Sequence, residues 1–221
     1  MRKFFGMGLV CLATLLMVFG FPAQAEPVAG RDFSVLNQAV STDNPEKIEV
    51  IEFFSYGCSH CNELNPQILK WAEKQPADVV LKRVAVPWGP FYILMSRFYY
   101  TLEVMGELDR LDSAVFDALH KKGLRLVNEK SLVEWVTSQG IDAAKFTTAF
   151  RSFSVDSKVR NAEQLAQTAR VEGVPTLIVD GRYRVLTQGI DVKSETEMYG
   201  ILLSRVDEII EIRRKERAQN K

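Results

Sequence analysis

Apolar and polar positions along this chain change their period twice. Ile48 to Phe54 and Val79 to Val86 are mostly apolar runs without helical spacing, which predicts buried strands. Between them Leu64, Ile68, Leu69, Trp71 and Ala72 recur at helical spacing, so a first helix is expected from about Cys58 to Lys74. Phe33 to Leu36 adds an edge strand, separated from the first buried run by a turn at Asp43, Asn44 and Pro45.

From Phe91 to Glu172 the period is helical throughout. The expected helices are Phe91–Met105, Asp112–Lys121, a short one opened by Ser131 and ended by Gly140, Asp142–Phe150, and Ser157–Glu172. Glu134 stands in the capping-box position relative to Ser131. Strand character then returns in Thr176–Val179 and Arg182–Leu186, which flank Asp180-Gly181 as a hairpin with a two-residue turn. Ser194 with Glu197 opens a last helix, whose apolar face is Met198, Ile201, Leu202, Val206, Ile209 and Ile210. The charged tail Arg213–Lys221 reads as a solvated helix end.

The order β-β-α-β, several helices, β-β-α predicts an α/β fold with one mixed sheet. Residues 90–160 would form an inserted all-helical domain, and 26–89 with 161–221 the sheet-bearing one. A strand-helix-strand unit followed by a hairpin and a helix does not need so long a connection, so insertion is the economical reading.

Composition changes this picture little: 47% hydrophobic and 25% charged residues describe an ordinary globular protein. The formal charge of +0 gives no electrostatic reason to expect a nucleic-acid partner. The N-terminus changes it more. Arg2 and Lys3 precede an uncharged, mostly apolar run from Phe4 to Phe21, and Ala23-Gln24-Ala25 fits a cleavage site, so residues 1–25 read as a secretory signal peptide cut after Ala25. An uncleaved membrane anchor is the alternative. Cleavage removes Cys11 and leaves Cys58 and Cys61 as the mature cysteines.

Those two lie three apart, where the first buried strand gives way to the first helix. Cys58 then stands at a helix N-terminus, where free N–H groups and the helix dipole favour a thiolate, the reactive form of cysteine. Cys61, one turn later on the same face, is placed to close a disulfide with it. His60 adds a charge beside the thiolate, against the plainer reading of a surface residue. A structural staple fits poorly, because so short a loop restricts the unfolded chain little. Zinc fits poorly too: it wants four ligands or three plus water, and outside the motif the sequence offers only His120, itself read as an exposed residue near a helix end. No metal is expected. The stretch reads as a redox dithiol.

Phe53-Phe54-Ser55-Tyr56-Gly57-Cys58-Ser59-His60-Cys61, the later Gly173-Val174-Pro175-Thr176 and the helical block between them resemble the DsbA family of periplasmic thiol:disulfide oxidoreductases. The resemblance spans essentially the whole mature chain and implies a thioredoxin-like fold with an inserted all-helical domain. It implies Cys58 as the exposed nucleophile, Cys61 as the buried resolving thiol and His60 as a catalytic residue between them. It further implies Ser59 as a substrate-binding residue, and Pro175 as a cis-proline facing the disulfide that serves both catalysis and substrate binding. Val174 would pair through its backbone with an extended substrate. Glu52 would be a buried acid behind Cys61 that assists its proton transfers, with Lys82 as its charge partner. Ser59 departs from the family's usual proline. The implied activity is disulfide donation to newly exported proteins in the periplasm by a monomer. Its redox-active disulfide would need no further cofactor and would be regenerated by a quinone-linked membrane oxidase of the DsbB type. A reductase or isomerase on the same fold, or a non-catalytic peptide-binding chaperone, are the alternatives. Isomerases of this group carry an N-terminal dimerisation domain, for which little sequence precedes Cys58.

Overall fold

Ile48–Phe54 forms an interior strand, β2, one place from the edge of the sheet rather than at its centre, and all 7 of its residues are buried. In the computed structural model, residues 27–219 are described, so the signal segment and its cleavage site lie outside the described residues. The other strands are β1 (Phe33–Val35), β3 (Val79–Ala85), β4 (Thr176–Val179) and β5 (Tyr183–Val185). They form one mixed sheet in the order β1-β5-β4-β2-β3, in which only β2 and β3 run parallel. That parallel pair requires a crossover, which α1 (Ser59–Ala72) supplies. The β4–β5 hairpin turns at Asp180 and Gly181, with φ of 52° and 64°, and the Arg182 N–H closes on the Val179 carbonyl at 3.0 Å. Because Val179 pairs with Tyr183, Arg182 also belongs to the loop, which is one residue longer than expected. A Cβ on Gly181 would lie 2.1 Å from the Val40 carbonyl oxygen, so only glycine fits there.

The helical block comprises α2 (Gly89–Val104), α3 (Leu108–Phe116), α4 (Glu129–Ser138), α5 (Ala143–Phe150) and α6 (Phe153–Thr168). A single π turn, Asp117–Lys121, continues α3. The start of α4 differs from the sequence reading. Asn128, not Ser131, is the cap: its side chain accepts the Ser131 N–H at 2.9 Å, and the Ser131 hydroxyl accepts the Asn128 N–H at 3.2 Å. Asn caps as well as Ser does, so three more residues join the helix.

Alternation in β2 feeds two cores. Ile51 and Phe53 join Phe98, Phe116, Trp135 and Phe146 of the helical block, whereas Ile48 and Val50 join α1 and the last helix, α7 (Glu195–Gln219). The buried stripe of α7 is Tyr199, Leu202, Leu203, Val206, Ile209, Ile210 and Arg213. Leu202, Val206, Ile209 and Ile210 are the expected face, and Met198 packs against them. Tyr199 and Leu203 widen the stripe on one side, Arg205 is buried beside it, and Ile201 alone of the expected face is exposed. The tail expected to be solvated is instead tied down. Arg213 is buried and pairs with Asp180 at 2.6 Å, Arg217 reaches the same carboxylate at 2.5 Å, and Arg214 pairs with Asp78 at 2.8 Å. The hairpin turn presents Asp180, buried and anionic, and two arginines one helical turn apart neutralise it.

Candidate active site

β2 stops at Phe54, and Ser55-Tyr56-Gly57 turns the chain into α1 with Cys58 as its N-cap (φ −93°, ψ 120°). Gly57 allows this turn to pass beneath Phe91, because a Cβ there would lie 2.5 Å from the Phe91 ring. The Cys58 sulfur accepts the Cys61 backbone N–H at 3.4 Å. In its thiol form it also donates to the Val174 carbonyl at 3.3 Å. Val174–Pro175 is a cis peptide bond. The Val174 carbonyl thus faces the sulfur, and Pro175 presents no N–H there. Half-buried Trp88, Phe91 and Tyr92 lie in the adjoining apolar layer.

The two thiols differ sharply. The side-chain hydrogen bond with Cys61 does most to lower the Cys58 thiol, from 9.0 to about 6; burial opposes this, and the backbone N–H groups of Cys61 and His60 and the charge of His60 add to it. Cys61 is fully buried, and burial together with the neighbouring Cys58 pushes its thiol up. One sulfur can thus be a thiolate at neutral pH while the other keeps its proton.

His60 and Ser59 are exposed on the first turn of α1, and His60 Nδ1 lies 3.2 Å from Glu195 Oε1 at the start of α7. Because His60 is solvated, its charge is screened. His60→Ala is therefore expected to raise the Cys58 thiolate midpoint by less than about one pH unit. Alkylation rate against pH measures this, and a shift of several units would show that His60 dominates.

Glu52 is fully buried and its charge is among those acting on the Cys61 thiol, but Lys82 is not its partner. Glu52 Oε2 accepts Arg83 Nε at 2.6 Å, and Glu52 and Arg83 stand opposite each other in the β2–β3 register. Lys82, one residue earlier, is turned by strand alternation to the other face, where it pairs with Asp43 at 2.7 Å and lies 3.8 Å from Glu49. Arg83 extends the network: its Nη1 donates to Asp112 Oδ2 at 2.6 Å, and Asp112 Oδ1 accepts the Tyr56 hydroxyl at 2.8 Å. His120, expected at the surface, is half-buried in the π turn and places Nε2 2.7 Å from the Tyr56 carbonyl, which supports the loop before Cys58. Sequence reasoning missed Arg83, Asp112, Tyr56 and the lodging of His120. The basic pair Lys82-Arg83 carried half of the signal, and α3 gave none, since Asp112 comes to the site only through tertiary packing. Among the described residues, no group of three or more His, Cys, Asp or Glu is placed to hold a metal.

An ionisable thiol at a helix N-cap, a buried protonated thiol one turn on, and a carbonyl facing the first are what thiol–disulfide exchange requires. The fold and this pair define a thioredoxin-fold thiol:disulfide oxidoreductase. Comparison with known proteins agrees: the DSBA-like thioredoxin domain family matches residues 92–195. The thiol:disulfide interchange protein DsbA of Bordetella parapertussis is 38% identical over 175 residues, covering 79% of this chain and 83% of that protein. DsbA of Pseudomonas aeruginosa is 36% identical over 177 residues, 80% and 84% of the two chains. The crystal structure of P. aeruginosa DsbA superposes with a TM-score of 0.76 at 34% identity, covering 88% of this chain and 97% of that one. That of the Xylella fastidiosa oxidoreductase DsbA gives 0.78 at 27% identity, covering 86% and 100%. This chain belongs to the DsbA family.

Proposed function

We propose that this protein donates a Cys58–Cys61 disulfide to newly exported proteins, and the observation that carries the reading is the contrast between the two thiols. Cys58, lowered to about 6, is the better leaving group. It is more buried than the expected exposed nucleophile, but at 9% exposure against 0% for Cys61 it is the sulfur of the pair that a partner reaches. A substrate thiolate attacks the Cys58 sulfur, the bond to Cys61 breaks, and the departing Cys61 thiolate takes a proton from Glu52. A second substrate thiolate then attacks the substrate sulfur of the mixed disulfide. The substrate disulfide forms, Cys58 leaves as a thiolate, and two electrons have passed to the enzyme. Val174 and Pro175 bind the extended substrate chain, Ser59 and His60 border it, and Arg83 supports Glu52 in place of Lys82.

In this reading residues 26–89 and 161–221 form the thioredoxin-like domain and 90–160 the helical insertion, with α6 crossing the later boundary. Residues 1–25 direct export to the periplasm, with cleavage after Ala25. The redox-active disulfide is the whole cofactor, a quinone-linked membrane oxidase of the DsbB type restores it, and the enzyme works as a monomer without nucleic acid.

The test is the redox equilibrium of the mature protein with glutathione, paired with thiolate absorbance against pH. The folded Cys58 value lies below its ordinary 9.0, so this group's stabilisation of the reduced form is complete above about pH 9 and lost as pH falls through about 6. At pH 7 it makes the disulfide more oxidising by about 30 mV. A potential well above the glutathione couple supports donation. One near thioredoxin's, with a thiol midpoint near 7 or above, would overturn it in favour of a reductase.

A further inference from the structure

The guanidinium of Arg83 is shared between two carboxylates. Its Nε serves Glu52 and its Nη1 serves Asp112, each at 2.6 Å, while its Nη2 finds no hydrogen-bond partner in the protein. One cation therefore stands between two acids in a buried setting, and Arg83 itself cannot give up a proton. Glu52 Oε1, on the fully buried acid whose charge acts on Cys61, also accepts no hydrogen bond. Asp112 differs in its surroundings. It accepts the Tyr56 hydroxyl as well as Arg83 and, though buried at 7% exposure, it is among the residues lining an open groove of about 1300 Å3 beside β3.

We propose that Asp112 is a positioning residue that holds the charge of Arg83 partly away from Glu52, so that Glu52 exchanges protons with Cys61 instead of standing as a permanently paired carboxylate. The inference rests on the reading of Glu52 as the acid and base of Cys61. A carboxylate held by an undivided arginine stays ionised far below neutral pH and has no proton to offer the Cys61 thiolate. Burial already favours the protonated Glu52, and Asp112 acts in the same direction against Arg83. The charges that act on Glu52 are Arg83 and Asp112, the Cys61 thiol feels Glu52 in turn, and Tyr56 and Tyr99 act on Arg83; of these groups Arg83 is the cation that opposes the protonated Glu52.

The step to follow is enzyme closing with glutathione disulfide. Glutathione sits on Cys58 as a mixed disulfide; the Cys61 thiol passes its proton to Glu52, its thiolate attacks the Cys58 sulfur, the Cys58–Cys61 bond forms, and glutathione thiolate leaves. Rapid acid quenching and mass measurement give the first-order rate of this closing against pH. Its rise should have one inflection from Glu52, which Glu52→Gln removes. Asp112→Asn, which keeps the shape, should move the inflection down by about one to two pH units, since an anion a side chain away is worth that at a protein-like dielectric. Asp112→Ser, whose missing atoms are replaced by solvent from the groove, should move it likewise and covers a failure of the Asn variant to fold. An unmoved or raised inflection in the Asp112 variants, with Glu52→Gln still effective, overturns the inference and leaves the Glu52 reading intact. An inflection that survives Glu52→Gln overturns the reading of Glu52 and this inference with it.

Discussion

Cys58→Ser is expected to reduce disulfide donation to the uncatalysed background, whereas Cys61→Ser stops turnover by accumulating mixed disulfides. The asymmetry follows from access and ionisation. In Cys58→Ser the remaining sulfur, on Cys61, is fully buried and pushed up by that burial, so it offers almost no thiolate at neutral pH and no path for a partner. In Cys61→Ser the sulfur of Cys58 keeps its place at the N-cap, and the Cys61 N–H that it accepts belongs to the backbone and survives substitution. It loses the Cys61 thiol as a hydrogen-bond donor, though a serine hydroxyl can stand in. A mixed disulfide formed there has no neighbouring thiol to resolve it. Incubation with a cysteine-containing peptide disulfide, followed by intact mass under acid, reads both outcomes. Peptide adducts on Cys58→Ser, or none on Cys61→Ser, would contradict the assignment of roles.

Much of this site was legible because its parts are local. The Cys58–Cys61 spacing, the strand ahead of it and the helix after it lie within one stretch, and backbone geometry alone then puts Cys58 at an N-cap. The Asp180-Gly181 turn and the Ser194 cap were legible for the same reason: two to four residues carry the whole signal. The charge network was not. Choosing between Lys82 and Arg83 required the β2–β3 register, and an error of one residue in register sends a side chain to the opposite face of the sheet. Asp112 and Tyr56 are 56 residues apart, and nothing local distinguishes Asp112 from the other acids of the helical block. The arginines of the tail looked solvated because a run of charge usually is. They are drawn in by Asp180, whose burial depends on where the hairpin docks.

Arg83→Met is expected to destabilise the protein by about 3–5 kcal/mol at neutral pH, because it leaves Glu52 and Asp112 without the cation they share. The side chain is almost fully enclosed, lies 4.1 Å above the Phe54 ring and makes both ion pairs at 2.6 Å, so methionine keeps the packing and loses only the charge and its hydrogen bonds. The loss should depend on pH with a definite sign. Without Arg83, burial holds the folded Glu52 further above its unfolded value than before, so the folded state binds the extra proton and stability falls as pH rises. Urea unfolding at about pH 5 and about pH 8 should thus show the larger deficit at the higher pH. Adding Glu52→Gln to Arg83→Met should recover a large part of it, since an uncharged amide removes one of the two stranded acids. Lys82→Met is the contrasting substitution. Its main partner, Asp43, is 74% exposed, and a solvated pair of that kind is worth about 1 kcal/mol or less. The buried Glu49, 3.8 Å away, is already pushed toward its neutral form by burial, so a smaller loss than that of Arg83→Met is expected. Equal losses from the two substitutions, or a deficit in Arg83→Met that neither pH nor Glu52→Gln alters, would mean that the buried charges do not govern stability here. A large loss confined to Arg83→Met places the energetic weight of the site on the residue that faces Glu52 across the sheet.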